Sequence, residues 1–229
     1  MEKIRNRVGP VLFVFIMLTV LSTPEAKAVA ILELSSGEPS TLVTITDGGS
    51  GDFNPGNGVV TYIGVVGQWD INVSTGITKP ALGSPQIHVD SVNLTFGTPS
   101  APLTIRFTDT GFTGVYPGFE SNLAVLTAGT VTLNSYYDAN NNPFGTTTLV
   151  ASLGPLGPGP GAFTGYDWTE ITPSLYPFSL TEVVTITHPS AGVTSFNSSI
   201  APVPEPGTLI LFGTGLVGLA GWGRKKFRK

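Results

Sequence analysis

Apolar and polar residues alternate with a period of two through much of the chain between residues 41 and 187. Eight segments show this alternation, and each is rich in β-branched or aromatic residues and bounded by Gly, Pro, Asn or Asp. The segments are 41–46, 59–66, 69–73, 87–96, 103–108, 129–136, 147–153 and 181–187. No internal segment carries a capped apolar stripe with a period of 3.6 residues. The pattern therefore predicts an all-β fold.

Short strands joined by turn-rich segments are typical of two packed sheets, so we predict an antiparallel two-sheet sandwich or jelly roll. A β-helix is the alternative, but the sequence shows no repeat of fixed period. The Gly/Pro-rich run 154–161 is predicted to be a stiff turn or loop, and the polar run 190–201 a lead into the C-terminal tail. The apolar residues expected to be buried are Ile45, Ile63, Val65, Ile71, Val73, Val92, Leu94, Phe96, Ile105, Phe107, Val131, Leu133, Val184 and Ile186.

The C-terminal tail differs from the rest of the chain. Pro204, Glu205, Pro206 and Gly207 precede 15 uncharged, mostly apolar residues, 208–222. A helix of this length is about 22 Å long, shorter than the ~30 Å hydrocarbon core of a membrane, although flanking residues and local thinning can cover the difference. The chain then ends with a basic cluster: Arg224, Lys225, Lys226, Arg228 and Lys229. This cluster would stay in the cytoplasm, so the tail predicts a short transmembrane helix. A plain membrane anchor is the simplest interpretation.

The tail also closely resembles the PEP-CTERM sorting domain of exported bacterial proteins. The resemblance rests on Val-Pro-Glu-Pro-Gly-Thr, on Leu-Phe-Gly-Thr-Gly-Leu-Val-Gly-Leu-Ala-Gly-Trp and on the closing Arg-Lys-Lys, and it covers residues 203–229 only. It implies that Pro204, Glu205 and Pro206 are read by a membrane exosortase, a transpeptidase-like sorting enzyme. It further implies that the tail is cleaved and the body released or attached outside the cell, often alongside exopolysaccharide production.

The N-terminus predicts export. Lys3, Arg5 and Arg7 form a basic region ahead of a mostly apolar segment of 11 residues, 11–21, which we expect to form a signal helix too short to span a membrane. Small residues at Ala26 and Ala28 then predict cleavage by signal peptidase after Ala28; an uncleaved short anchor is the alternative. The predicted organisation is a signal peptide (1–28), an extracytoplasmic β domain (29–202) and a sorting signal (203–229). Because the chain has no Cys, the domain has no disulfides and the signal is not that of a lipoprotein.

The body between the two signals is strongly acidic. Residues 29–203 contain two basic residues, Lys79 and Arg106, against twelve acidic ones, which gives a formal charge of −10. A domain with so few cations would be repelled by a phosphate backbone. The composition therefore excludes nucleic acid as a partner.

Two acidic loops and two histidines are candidate metal ligands. Asp47 and Asp52 flank a Gly-rich run that suits a calcium-binding turn, but a Gly-rich hairpin is the simpler interpretation of a single copy. Asp138 starts a run with oxygen ligands at positions 1, 3 and 5 of an EF-type loop, but the Gly and the bidentate Glu of that loop are missing, which favours an Asx-rich turn. His88 and His188 lack any recognisable ligand spacing. We therefore expect neither a metal nor another cofactor.

The remaining candidate chemistry concerns sugars. Trp69, Trp168, Tyr166, Tyr116 and Phe119 could stack on sugar rings, although such aromatics more often fill the core of a sandwich. Asp167 and Glu170 are three residues apart on a strand and so point to opposite faces, a poor arrangement for paired catalytic carboxylates.

These features favour a non-catalytic surface or extracellular-matrix protein associated with exopolysaccharide, with no catalytic residues. A carbohydrate-binding module is the alternative, and a glycan-active hydrolase is less favoured because no nucleophile motif is present.

Overall fold

The computed structural model describes residues 29–37, 41–171 and 177–203, and Gly207, Leu211 and 213–216 of the tail. The predicted signal helix lies outside the described residues, as does most of the predicted transmembrane helix. The few described tail residues beyond 203 are helical. Within the described part of the chain, no helix is both long enough and apolar enough to cross a membrane.

The described body consists of strands that form two antiparallel sheets. Sheet A has the strand order β2-β1-β6-β11-β8-β9, and sheet B has the order β10-β7-β12-β5-β4-β3. The strands are β1 (Ile31–Ser35), β2 (Val43–Thr46), β3 (Val59–Val66), β4 (Trp69–Ile77), β5 (Ile87–Thr95), β6 (Leu103–Phe112), β7 (Gly118–Thr127), β8 (Thr130–Asp138), β9 (Thr148–Leu156), β10 (Gly161–Glu170), β11 (Phe178–Thr187) and β12 (Gly192–Pro202).

The last eight strands of the chain are connected as a jelly roll. Apart from β8 and β9, which follow one another within sheet A, they alternate between the sheets. As a result, β5-β12-β7-β10 lie side by side in sheet B and β6-β11-β8-β9 lie side by side in sheet A. The first four strands widen the two sheets: β1 and β2 extend sheet A beyond β6, and β3 and β4 extend sheet B beyond β5. The prediction of an all-β, two-sheet antiparallel sandwich is confirmed.

The alternation pattern missed four strands, β1, β7, β10 and β12. The polar run 190–201, expected only to lead into the tail, contains most of β12, which lies in sheet B between β7 and β5. Its inward residues include Thr194 and Ser198, so its two faces differ little in polarity. The run 154–161 also contributes to strands, since Gly154 to Leu156 end β9 and Gly161 begins β10.

One hydrophobic core fills the space between the sheets. The prediction of burial is confirmed at eight positions: Ile45, Ile71, Ile105, Phe107, Val131, Leu133, Val184 and Ile186. All these residues lie on inward faces of their strands, where neighbouring side chains from both sheets exclude water. Burial of these side chains is the main contribution to the stability of the sandwich.

The prediction of burial was wrong at six positions, five in strands of sheet B and one just after β5. Ile63, Val65 and Phe96 are exposed, and Val73, Val92 and Leu94 are only partly buried. Irregular register between Tyr62 and Gly64, and between Ile71 and Val73, breaks the period of two in β3 and β4. In β5 the regular alternation holds, but its inward residues after Val89 are Ser91, Asn93 and Thr95, so the apolar set faces outward.

The interior consequently contains polar side chains that pair with one another. Ser121 and Ser135 form a hydrogen bond of 2.7 Å between β7 and β8, which belong to different sheets. His188 lies 2.9 Å from Thr95 Oγ1 through Nδ1 and 2.7 Å from Thr194 Oγ1 through Nε2. Among the described residues, the buried side-chain atoms without a hydrogen-bond partner are Asn93 Nδ2 and Glu182 Oε1.

Candidate functional site

The aromatic residues proposed from the sequence separate into core residues and surface residues. Trp69 is fully buried, packs on the His188 ring at a centroid distance of 4.7 Å and donates from Nε1 to the Ala101 carbonyl at 3.1 Å. Tyr116 and Phe119 pack against Phe178 within the core. These three of the five proposed aromatics therefore stabilise the fold, and none of them is displayed as a sugar platform.

Tyr166 and Trp168, in contrast, lie on the outer face of sheet B. They are 56% and 48% exposed. Because they are two residues apart on β10, an edge strand of the sheet, they project from the same face with Cα atoms roughly 7 Å apart. This arrangement of neighbouring exposed aromatics on one sheet face is the one that sugar stacking requires.

The sheet register places polar residues beside these aromatics. Tyr166 pairs with Asn122 of β7, which pairs with Ser199 of β12, which pairs in turn with His88 of β5. A second row lies two residues further along each strand on the same face. It contains Thr164, Ala124, Asn197 and Asp90. Neighbouring strands are roughly 4.8 Å apart, so each row extends roughly 14 Å across the sheet.

Three of these polar side chains contact one another at the β5 end of the rows. His88 Nε2 lies 2.9 Å from Asp90 Oδ2, and Asn197 Nδ2 donates to Asp90 Oδ1 at 2.8 Å. The Asn197 amide nitrogen is also 3.1 Å from His88 Nε2. These contacts fix the orientation of polar groups that project from two neighbouring strands.

Two adjoining shallow depressions, of about 360 and 260 Å³, lie on this face. The smaller one lies between the two rows, and the larger one extends from the second row toward Leu126, Ala162 and Ser195. Both contain Ala124, Thr164 and Asn197, and Tyr166 borders the smaller one. The depressions exist because Ala124 of β7 and Ala162 and Thr164 of β10 have short side chains between longer outward neighbours. We call this surface the outer groove: the outward residues of β10, β7, β12 and β5 from Tyr166 and Trp168 to His88 and Asp90.

The edge of the outer groove carries negative charge. Tyr166 Oη donates to Glu120 Oε2 at 3.2 Å. Partial desolvation of the phenol and the nearby Glu120 and Asp167 carboxylates raise the pKa of Tyr166, so its hydroxyl remains a hydrogen-bond donor at neutral pH. Strand alternation places Glu170 on the same face as Trp168 and Asp167 on the opposite one.

The sequence did not reveal Asn122, Asn197 or Asp90 as site residues. Asn197 and Asp90 are 107 positions apart in the chain and meet only through the pairing of β12 with β5. The alternation on β7 and β12 could have shown which residues face outward. It could not have shown which strands are neighbours.

The carboxylates of Asp47 and Asp52, which flank the Gly-rich run, accept hydrogen bonds from backbone amides. Asp47 accepts a hydrogen bond from the Gly58 amide at 2.8 Å. Asp52 accepts from the amides of Gly48, Asn54 and Thr61 at 2.9–3.0 Å. The carboxylates therefore hold the β2–β3 connection in shape.

Asp138 organises the β8–β9 connection in the same way. Its buried carboxylate accepts hydrogen bonds from the backbone and side-chain amides of Asn140 and Asn142 and from the Thr147 hydroxyl. Burial raises the pKa of Asp138, but these hydrogen bonds outweigh it and hold the pKa below its ordinary value. The run is an Asx-type turn. Within the described residues, no group of three or more His, Cys, Asp or Glu side chains is placed so that it could hold a metal ion.

The body ends one residue before the sorting sequence. Pro202 still pairs with Phe119 in sheet B, and the Val203 amide donates to the Gly118 carbonyl at 3.0 Å. Of the proposed sorting residues, Gly207 is described and exposed. The others lie outside the described residues: Pro204, Glu205, Pro206, Arg224, Lys225, Lys226, Arg228 and Lys229. The predicted signal-cleavage residues Ala26 and Ala28 also lie outside them.

The tail matches a known family by sequence. The family model described as the PEP-CTERM protein-sorting motif matches residues 202–225. The chain thus carries a PEP-CTERM sorting tail, which indicates an exported protein and implies processing by an exosortase-like enzyme. No curated protein matches the chain.

Several solved structures resemble the sandwich distantly. TmCBM61, solved in complex with beta-1,4-galactotriose, is 8% identical with a TM-score of 0.36 over 67% of this chain and 92% of that one. The enzymatically active domain of tailspike protein 4 from bacteriophage CBA120 is 12% identical with a TM-score of 0.34, over 68% of this chain and 21% of that one. The isomalto-dextranase of Arthrobacter globiformis T6, complexed with panose, is 10% identical with a TM-score of 0.26, over 62% and 23%. These similarities are too low to bear on function.

Proposed function

We propose that this chain is a non-catalytic surface or extracellular-matrix protein that an exosortase-type system sorts to the cell exterior. The observation that carries the proposal is the PEP-CTERM match at residues 202–225. The folded body supports it, because a cysteine-free, acidic β-sandwich is a soluble domain that needs no disulfide to fold outside the cell.

Each end of the chain has a role in this proposal. Signal peptidase removes residues 1–28 after Ala28, and the apolar run 208–222 holds the exported body at the membrane with its basic end in the cytoplasm. The exosortase then reads Pro204, Glu205 and Pro206. Because β12 is paired up to Pro202 and Val203 contacts Gly118, the sorting enzyme meets its recognition sequence directly beside the folded domain.

The test is replacement of Pro204, Glu205 and Pro206 by alanine, followed by immunoblots of fractionated cells. A plain anchor depends only on hydrophobicity and flanking charge, so the variant would keep the size and location of the wild type. A sorting signal depends on the triplet, so we expect a full-length precursor trapped in the cytoplasmic membrane while the wild type loses its tail. Deletion of residues 224–229 serves as the control, since it should impair both mechanisms. Equal size and location for wild type and the triple variant would contradict the proposal.

Carbohydrate binding is a second candidate function for the body. The observation that favours it is the display of Tyr166 and Trp168 on the outer face of sheet B. Aromatic rings at a sheet edge offer flat apolar surfaces, and the neighbouring Asn122 offers both a donor and an acceptor for sugar hydroxyls. Binding to an exopolysaccharide would retain the sorted protein at the cell exterior.

Glycan hydrolysis is less well supported by the same surface. Asp167 and Glu170 project from opposite faces of β10, so they do not form a pair that flanks one glycosidic bond. Asp90 is already hydrogen-bonded to Asn197 and close to His88. The outer groove therefore suits recognition better than acid–base catalysis.

A further inference from the structure

We infer that the outer groove binds an uncharged polysaccharide and excludes polyanionic ones. This inference rests on the candidate carbohydrate-binding function and adds to it the chemical class of the ligand. It is carried by the shape of the groove, by its hydrogen-bonding groups and by the distribution of charge over sheet B.

The shape of the outer groove suits a polymer. Its two depressions adjoin and are shallow, and they share the short side chains of Ala124 and Thr164 as part of their lining. A surface that does not enclose its ligand binds an extended chain at several consecutive positions better than a small molecule, which needs a concave pocket to bury most of its surface. Tyr166 and Trp168 provide stacking surfaces at one end of this path.

The central groups of the outer groove suit hydroxyl groups. Asn122, Ser199 and Asn197 come from the neighbouring strands β7 and β12 and project from the same face. Amides and hydroxyls both donate and accept hydrogen bonds, as sugar hydroxyls do. These groups are neutral, so they confer no preference for a charged ligand.

The charge on sheet B argues against an anionic polymer. None of its six strands contains Lys or Arg, whereas they carry five acidic residues: Asp70, Asp90, Glu120, Asp167 and Glu170. The two basic residues of the body are engaged elsewhere, Lys79 with Asp109 at 2.8 Å and Arg106 with Glu33 at 2.9 Å. A polymer of uronic acids or sulfated sugars would meet a negative surface with no cation to pair with its charges.

Two of these carboxylates, Glu120 and Asp90, are engaged by neighbouring side chains and do not form a row that would recruit a cationic polymer. Glu120 accepts the hydrogen bond of Tyr166, and Asp90 accepts one from Asn197 while lying beside His88. Their contacts orient the aromatic ring and the amide that face the ligand. The polar groups in the centre of the outer groove, Asn122, Ser199 and Asn197, are neutral, which points to an uncharged chain.

The test is affinity electrophoresis of the full chain in mild detergent through gels that contain one polysaccharide each. The panel consists of uncharged polymers (mannan, galactan, dextran and soluble cellulose), the polyuronate alginate and the polycation chitosan. The variants are Tyr166→Ala and Trp168→Ala, with Trp168→Phe as the version that retains a ring. Phe96→Ala is the matched control, because Phe96 is an exposed aromatic (83%) located just after β5 and outside the outer groove.

We expect retardation by at least one uncharged polymer and none by alginate at low or high salt. Each alanine variant should weaken binding by about tenfold, while Trp168→Phe and Phe96→Ala should stay near wild type. Preferential binding to alginate would overturn the charge inference and leave carbohydrate binding intact. Retardation by chitosan alone would also overturn the inference if it disappears in salt and is unchanged in the alanine variants. Such a result would indicate nonspecific electrostatic attraction between the polycation and the acidic protein. Retardation by no polymer would overturn both the inference and the candidate carbohydrate-binding function.

Discussion

Ser198 Oγ donates a hydrogen bond of 2.9 Å to Glu182 Oε2 across the interior of the sandwich. The bond joins β12 of sheet B to β11 of sheet A. Glu182 is completely buried, and its second oxygen has no hydrogen-bond partner among the described residues. Burial, opposed by the Ser198 bond and reinforced by Asp90, raises the pKa of Glu182 to about 8. The carboxyl group is therefore protonated at neutral pH.

Glu182 should make the stability of the protein fall as the pH rises. Its pKa is 4.5 when unfolded and about 8 when folded, so between these values the native state binds more protons than the unfolded state. The free energy of unfolding should decrease across this window, by up to about 5 kcal/mol from this residue, and level off above it. Urea unfolding of the full chain at a series of pH values from 5 to 9 measures the slope.

The variant Glu182→Gln is the control for this slope. Glutamine has the same shape and can still form a hydrogen bond with Ser198, but it does not titrate. We expect its free energy of unfolding to vary much less between pH 5 and 8 than that of the wild type. If the free energy of unfolding depends on pH equally in the two proteins, Glu182 is not the group that causes this dependence.

The close approach of Gly76 to Phe107 should make alanine costly at position 76. A Cβ atom there would overlap the ring carbons of Phe107, a fully buried residue of the opposite sheet. Because the ring is held by the core, Gly76→Ala should destabilise the protein by about 1–3 kcal/mol. Gly97→Ala is the matched control, since a Cβ at that position meets nothing within 4 Å. Thermal unfolding distinguishes the two variants. Similar unfolding midpoints would contradict the predicted overlap between the added methyl group and the Phe107 ring.

The sequence predicted the class of fold because eight strands show clear alternation or β-rich composition. It predicted β3 at its observed bounds, 59–66. It failed at β12 because small polar residues such as Thr194 and Ser198 face the interior there, which removes the contrast between the faces. It misassigned Ile63 because the register of β3 shifts between Tyr62 and Gly64, and such a shift has no clear local signature.

The candidate site was harder to predict than the fold. Tyr166 and Trp168 were among the candidate stacking aromatics, but Trp69 looked equally suitable and is buried in the core. The neighbours of Tyr166 depend on the order β10-β7-β12-β5, in which strands distant in sequence lie side by side. Strand order follows from the long-range jelly-roll connections, which alternation within a strand does not encode.

Asp138 should contribute to stability without any metal ion. Its carboxylate accepts hydrogen bonds from Asn140, Asn142 and Thr147, and Asp138→Ala would leave these donors unpaired near the core. We expect a loss of about 3 kcal/mol in the free energy of unfolding. Asp167→Ala, a substitution of an exposed residue on β10, should change it by less than about 0.5 kcal/mol.

Calcium provides the discriminating measurement for Asp138. If the residue only organises its turn, millimolar calcium and a chelator should give the same unfolding midpoint for the wild type. A calcium-dependent increase that disappears in Asp138→Ala would instead indicate a metal site.

His188 should make the protein less stable as the pH falls, opposite in sign to Glu182. Its imidazole is buried against the Trp69 ring and lies between Thr95 and Thr194, and this burial lowers the pKa of His188 below its ordinary value of 6.5. The unfolded state therefore binds more protons than the native state below about pH 6.5. The stabilisation is fully present above that pH and is lost as the pH falls toward the folded pKa.

The pH ranges in which Glu182 and His188 affect stability overlap between pH 4.5 and 6.5. The contribution of His188 must therefore be measured in the Glu182→Gln variant. There we expect the free energy of unfolding to decrease as the pH falls from 6.5 to 5. Adding His188→Gln should lower stability at pH 7 because the packing on Trp69 is altered, and it should also flatten the remaining acid slope. NMR of the imidazole protons provides an independent measurement, since a buried neutral His188 should titrate below pH 6.5 in the native protein. A native midpoint at or above 6.5, together with an unchanged acid slope in the double variant, would show that burial does not control the charge of His188.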